Sequence, residues 1–138
     1  MLIIVPSILQ QQWQKSVAEW LNKPAYIITY LDKESRYNFY QKLLEKQELI
    51  IIVSKDTFKI DSLLFKKLKK RKGVDGVCCV IVDEAHFLRN HQSQQSKSIY
   101  TLKDVPYKMA LTGTPVVNRS PDIFGILKFL NPDFYSSY

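Results

Sequence analysis

Three uninterrupted apolar runs constrain this chain more than any other feature: Leu2-Ile3-Ile4-Val5, Leu49-Ile50-Ile51-Ile52-Val53 and Val77-Cys78-Cys79-Val80-Ile81-Val82. A strand with one wet face alternates apolar and polar residues, and these do not. Continuous β-branched runs suit strands buried on both faces, the condition of a parallel sheet layered with helices. Each run ends abruptly at polar residues: Pro6-Ser7, Ser54-Lys55 and Asp83-Glu84.

Helical patterns fill the intervals. Ser7 is placed to cap a helix on which Leu9, Trp13, Val17 and Trp20 form an inward stripe, ending at residues 22–24. On that stripe the two tryptophans read as core packing rather than base stacking. Residues 25–31 suit a strand. Residues 33–47 suit a helix with Tyr37, Tyr40, Leu43 and Leu44 on one face. A further helix is expected over 61–72, a shorter one over 94–103 and a short strand over 107–111. Ser120-Pro121-Asp122 supplies a cap, a first-turn proline and a first-turn acid for a last helix that turns Ile123, Leu127 and Leu130 inward. Strands alternating with helices predict one α/β domain over residues 1–138, a mainly parallel sheet with helices on both faces.

Hydrophobic residues make up 46% of the chain, enough for a core. The formal net charge of +7 suits an anionic partner such as nucleic acid without requiring one. Within Lys66 to Lys72 the basic run either grips DNA or is a solvated helix end, where lysines are favourable. The two cysteines, Cys78 and Cys79, are adjacent on a strand and face opposite ways, so they are expected to be reduced core residues. No apolar stretch approaches the roughly 20 residues needed to span a bilayer. These features predict a cytoplasmic or nuclear protein with no membrane partner. The sequence opens directly in a strand, which is expected of a truncated domain.

In open parallel sheets, ligands bind beyond the carboxyl ends of the strands. Asp83-Glu84 is the sharpest feature there, two acids directly after a wholly apolar run. Carboxylates beside such a strand are costly unless they gain a partner. Magnesium is one such partner, a hard cation that takes oxygen ligands and keeps several waters. One acid then holds the metal through water, and the other orients or deprotonates a water that attacks a phosphate. Taken by itself, the pair also fits a solvated acidic turn.

The segment Val80-Ile81-Val82-Asp83-Glu84-Ala85-His86 resembles motif II, the Walker B element, of superfamily 2 helicase-like ATPases. Leu88-Arg89-Asn90 looks like the extension found in the Swi/Snf branch. Leu111-Thr112-Gly113-Thr114-Pro115 looks like motif III, and Asn118 falls where that branch has asparagine. Pro6, Leu9, Gln12-Trp13 and Trp20 resemble motif Ia and its helix, and Ile52-Val53-Ser54 resembles motif Ib. The matches run in order along essentially the whole chain.

The resemblance implies the first RecA-like lobe of an ATP-driven translocase on double-stranded DNA, working with a second RecA-like lobe. It implies that Asp83 holds Mg2+ through water and that Glu84 activates water. It also implies that His86, Thr112, Gly113 and Thr114 couple the nucleotide state of ATP to the grip on DNA. Pro6, Ser7, Ser54, Lys55, Arg89 and Asn90 would meet the nucleic acid. A helix N-terminus at Ser7 suits a phosphate, because free N–H groups face it.

Departures from the family are specific. No G-x-x-x-x-G-K-[ST] string occurs, so the backbone cradle and lysine of a phosphate loop are missing. The lobe is therefore expected to lack the phosphate-loop strand and to show a gap, a rearranged strand or an exposed edge. Lys55-Asp56 replaces an aromatic-acid pair, and Phe87 replaces a polar residue. Alternatives from other classes are a nucleic-acid-binding module that never hydrolyses ATP, and the translocase subunit of a restriction system.

Overall fold

The computed structural model describes residues 1–29, 32–43, 49–68, 77–115 and 120–136. Its strands are β1 (Leu2–Val5), β2 (Tyr26–Ile27), β3 (Ile51–Ser54), β4 (Cys79–Val82) and β5 (Tyr107–Ala110). Its helices are α1 (Gln10–Leu21), α2 (Lys33–Leu43), α3 (Lys55–Leu68), α4 (Gln94–Tyr100) and α5 (Phe124–Leu130). The five strands form one sheet in the order β2-β3-β1-β4-β5, and each paired neighbour is parallel.

The uninterrupted apolar runs lie where their pattern requires. Every residue of β1 and β3 is buried. Alternate side chains feed two separate layers. Leu2, Ile4, Ile51, Val53, Val80 and Val82 join Tyr40 and Leu43 of α2, Phe58 and Phe65 of α3, Ile99 of α4 and Ile126 and Phe129 of α5. Ile3, Val5 and Ile52 meet Val17 of α1, with Leu9, Trp13 and Ile81 packed alongside. Helices therefore cover both faces, but unequally. On the α1 side, Tyr107 and Met109 of β5 remain 71% and 50% exposed. That strand is an exposed edge, one of the three outcomes expected for this sheet.

Several local expectations are corrected. Ser7 does not cap α1. A 3-10 turn, Ser7–Leu9, intervenes, and no side-chain cap bond forms there. Trp20 is 84% exposed and lies off the core stripe, because Val17 and Trp13 already fill the width of α1 that faces the sheet. On α2 the buried face is Arg36, Tyr40 and Leu43, while Tyr37 is exposed. Helix α3 begins at Lys55, six residues before the expected start at Asp61. Ser54 caps it by accepting the Thr57 N–H at 3.1 Å. The last helix also starts late, after a 3-10 turn Ser120–Ile123. Its buried residues are Phe124, Gly125, Ile126 and Phe129 rather than Ile123, Leu127 and Leu130. A 3-10 turn winds with three residues per turn, which shifts the phase of the helix behind it. Cys78 is exposed and Cys79 only half-buried, so neither is a core residue, and both are free thiols. Leu44, Asn118 and most of the basic run fall outside the described residues.

Arg36 enters the core because Asp61 meets it there. Its Nε and Nη2 donate to the two Asp61 carboxylate oxygens at 2.7 and 2.9 Å, and the Tyr40 hydroxyl donates to Oδ2 at 2.9 Å. Burial, with the carboxylate beside it, pushes the Tyr40 hydroxyl above its ordinary range and keeps it a donor. The network fastens α2 to α3. Asp61→Ala would strand the guanidinium, and unfolding in urea is expected to show a loss of about 3–5 kcal/mol. A second constraint is Gly125. A Cβ there would lie 1.8 Å from the Leu88 carbonyl oxygen, so α5 reaches the segment after β4 only with glycine. Gly125→Ala is expected to cost about 1–3 kcal/mol or more by the same measurement.

Candidate active site

The acids sit on the carboxyl edge of the sheet. Asp83 follows β4 directly, and its N–H donates to the Ile4 carbonyl at 2.8 Å, extending the ladder with β1 one residue further. Glu84 then turns the chain with φ 50° and ψ 48°, the left-handed region. That conformation costs a residue with a Cβ roughly 1–2 kcal/mol. The strain breaks the strand and starts a 3-10 turn, Ala85–Arg89. The Ala85 N–H donates to the Leu111 carbonyl at 2.8 Å, and the Leu111 N–H donates to the Val82 carbonyl at 2.9 Å. The acid turn and the Thr112-Gly113-Thr114 segment are thus adjoining loops at the same end of paired strands.

Both Asp83 oxygens are engaged. Oδ1 accepts the Glu84 N–H at 2.8 Å, and Oδ2 accepts the Trp13 indole N–H at 2.8 Å. A carboxylate has about four lone-pair sites, so each oxygen keeps capacity for a water or an ion. Trp13 is the functional contact that periodicity missed. The stripe placed it inward, but nothing in the spacing tells an indole that only packs from one that also donates. His86 Nδ1 is buried 3.1 Å from Glu84 Oε2, a close contact without the alignment of a good hydrogen bond.

Lys55 turns toward the acids. Its Nζ donates to the Glu84 carbonyl at 3.0 Å and lies 4.4 Å from the centre of the Phe87 ring. Burial pulls the ammonium below the ordinary lysine range, while Glu84, Asp83 and Asp56 oppose that shift through space. Ser54 is buried at 2% exposure, and its hydroxyl is committed to Thr57. Ser7 is exposed and Pro6 half-buried. The Gln10 amide can donate to the Ser7 carbonyl at 3.3 Å and accept the Ser54 N–H at 3.2 Å, which joins the two loops. Arg89 and Asn90 are exposed at the end of the 3-10 turn. Thr112 Oγ1 accepts the Thr114 N–H at 3.1 Å, and Gly113 stands in open space.

Among the described residues, no group of three or more His, Cys, Asp or Glu side chains could hold a metal ion. A single carboxylate with waters is the arrangement magnesium accepts, because it keeps most of its hydration and shares substrate phosphates. The oxygen donors of Asp83 fit that requirement. Also among the described residues, no helix is long and apolar enough to cross a membrane.

A parallel sheet with an acid pair at its carboxyl edge, bonded to the loop of the neighbouring strand, agrees with the RecA-like lobe that the sequence motifs resemble. Comparison with known proteins narrows this. The SNF2-related domain model matches residues 1–138, and the chain belongs to that family. It is 31% identical over 129 residues to transcription termination factor 2 of Drosophila melanogaster, covering 94% of this chain and 12% of that protein. It is 30% identical over 149 residues to DNA repair protein RAD5 of Debaryomyces hansenii, covering 99% of this chain and 12% of that protein. A solved structure, the Sulfolobus solfataricus SWI2/SNF2 ATPase core in complex with dsDNA, is similar with a TM-score of 0.69 and 25% identity. The likeness covers 98% of this chain and 26% of that one. The chain thus spans a small part of the length of its relatives.

A double-mutant cycle checks the Trp13–Asp83 contact. Trp13→Phe and Asp83→Ala are expected to couple by about 1 kcal/mol in urea unfolding. Additive effects would show that the indole only packs.

Proposed function

We propose that this chain is the first RecA-like lobe of an intracellular ATP-driven translocase on double-stranded DNA, of Swi/Snf type. The observation that carries the reading is the Asp83-Glu84 turn, fixed to the β1 carboxyl end and to Leu111 by hydrogen bonds of 2.8 Å each. Two acids in a strained, doubly anchored turn serve no packing purpose, whereas phosphoryl transfer is largely a matter of positioning and electrostatics.

In this reading Asp83 would hold Mg2+ through water, with Trp13 donating to its Oδ2 and fixing the carboxylate plane. When bound, the ion would neutralise charge developing on the phosphates of ATP. Glu84 orients the attacking water and receives its proton. His86, in contact with Glu84, and Thr112, Gly113 and Thr114, one hydrogen bond from the acid turn, relay the state of the site to the DNA-facing loops. Pro6, Ser7, Lys55, Arg89 and Asn90 meet the sugar-phosphate backbone. Ser54 contributes by capping α3, since its hydroxyl is buried. Thr114 and the exposed residues around it face a second RecA-like lobe.

The phosphate cradle is not encoded in these residues, so the 138-residue chain alone is expected to show no ATP hydrolysis above background. Joined to a phosphate loop and a second lobe, it is expected to hydrolyse ATP with stimulation by duplex DNA. Glu84→Gln should lower that rate by about 10²–10⁴-fold. The logarithm of the affinity for duplex DNA should fall linearly with log salt, with a slope of about −0.9 for each phosphate contacted. A full rate in Glu84→Gln would remove the catalytic role, and salt-independent binding would argue for a protein partner instead.

A further inference from the structure

Lys55, at the start of α3, and Phe87, in the 3-10 turn behind the acid pair, meet in space. The ring of Phe87 lies 4.4 Å below the Lys55 ammonium, and the same ammonium donates to the Glu84 carbonyl at 3.0 Å. Together they make one contact between the start of α3 and the acid turn.

The bonded carbonyl is the informative part. Glu84 and Asn22 are the two described non-glycine residues with positive φ. The peptide joining Glu84 to Ala85 is held at both ends. Its carbonyl accepts a hydrogen bond from Lys55 Nζ at 3.0 Å, and its N–H donates to the Leu111 carbonyl at 2.8 Å. The plane of that peptide sets ψ of Glu84, and so the direction in which the carboxylate leaves the turn. A residue kept in a sparsely populated conformation persists only where its surroundings over-determine it. Here the surroundings are Leu111 on one side and Lys55 on the other. The Lys55 stem is itself committed, because Ser54 caps the helix that begins with it.

We propose that Lys55 is a positioning residue for the acid pair: seated between the Phe87 ring and the Glu84 carbonyl, it holds the left-handed turn and ties it to the β3–α3 junction. An ammonium carries three donors, so one remains free to meet a phosphate oxygen while the turn is held. Lys55 thereby links the loop proposed to touch the DNA backbone with the acid proposed to orient water. That catalytic meaning rests on the reading of Glu84 given above, but the positioning itself does not.

The test is amide hydrogen exchange by NMR on the 138-residue chain, comparing the parent with Lys55→Met, Lys55→Arg and Phe87→Leu. Lys55→Met keeps the stem and removes the charge and the donor. It should speed exchange at the Glu84 and Ala85 amides by about tenfold, with β1 amides unchanged. The Glu84 backbone shifts should also move away from left-handed values. Lys55→Arg should restore both readouts, and Phe87→Leu should produce a smaller change in the same direction. Should Lys55→Met prove too unstable to measure, Phe87→Leu carries the same comparison. Parent-like exchange at Glu84 and Ala85, a uniform rise that includes β1, or failure of arginine to rescue would each overturn the proposal. A full ATPase rate in Glu84→Gln of the joined protein, beside a positive exchange result, would instead sink the catalytic reading and leave the positioning role standing.

Discussion

In β1, and in β3 as far as Val53, every side chain is committed to one of two apolar layers, so charge has no place along their length. It is displaced to the carboxyl ends, where the chain leaves the sheet. That constraint organises the molecule. Ser54, Asp83 and Thr112 all occur within two residues of a strand's last residue, on neighbouring turns. Hydrogen bonds then cross between the turns: Asp83 to Ile4, Ala85 to Leu111, and Lys55 to Glu84. The site is a by-product of how a doubly covered parallel sheet must end, refined by which polar residues stand there.

This explains what the sequence disclosed and what it withheld. Strands buried on both faces announce themselves, because nothing else reads as an unbroken β-branched run. Helix existence was legible for the same reason of periodicity. Phase and starting points were not. Ser54 ended one element and capped the next with no intervening loop, and a serine after a strand looks like either. On α1 the stripe kept Leu9, Trp13 and Val17 but ran out before Trp20, and the 3-10 turn before α5 shifted its buried face to Phe124, Ile126 and Phe129, leaving Leu130 outward. Nothing local marks Arg36 for the core, since burial of a cation depends on a carboxylate 25 residues away.

The candidate site shows the same division. Asp83 and Glu84 were visible as acids after an apolar run, and their nearness to Thr112 follows from β4 pairing with β5. The supporting contacts were not visible. An indole N–H reaching Asp83 across 70 residues, and a lysine ammonium reaching a backbone carbonyl, both depend on tertiary placement that no local spacing encodes. Sequence names the groups that do chemistry more readily than those that hold them still.

The unequal layering described above has a consequence for handling. On the α1 side, β5 offers Tyr107 and Met109 to solvent along an edge that, among the described residues, has no neighbouring strand on one flank. Such an edge is a template for adding strands, and Lys108 between the two apolar residues turns to the other face, where its ammonium donates to the Lys103 carbonyl at 2.7 Å. At high concentration the chain is thus poised to stick to copies of itself through this margin. Solubility, rather than fold, is where its exposed border would first be felt.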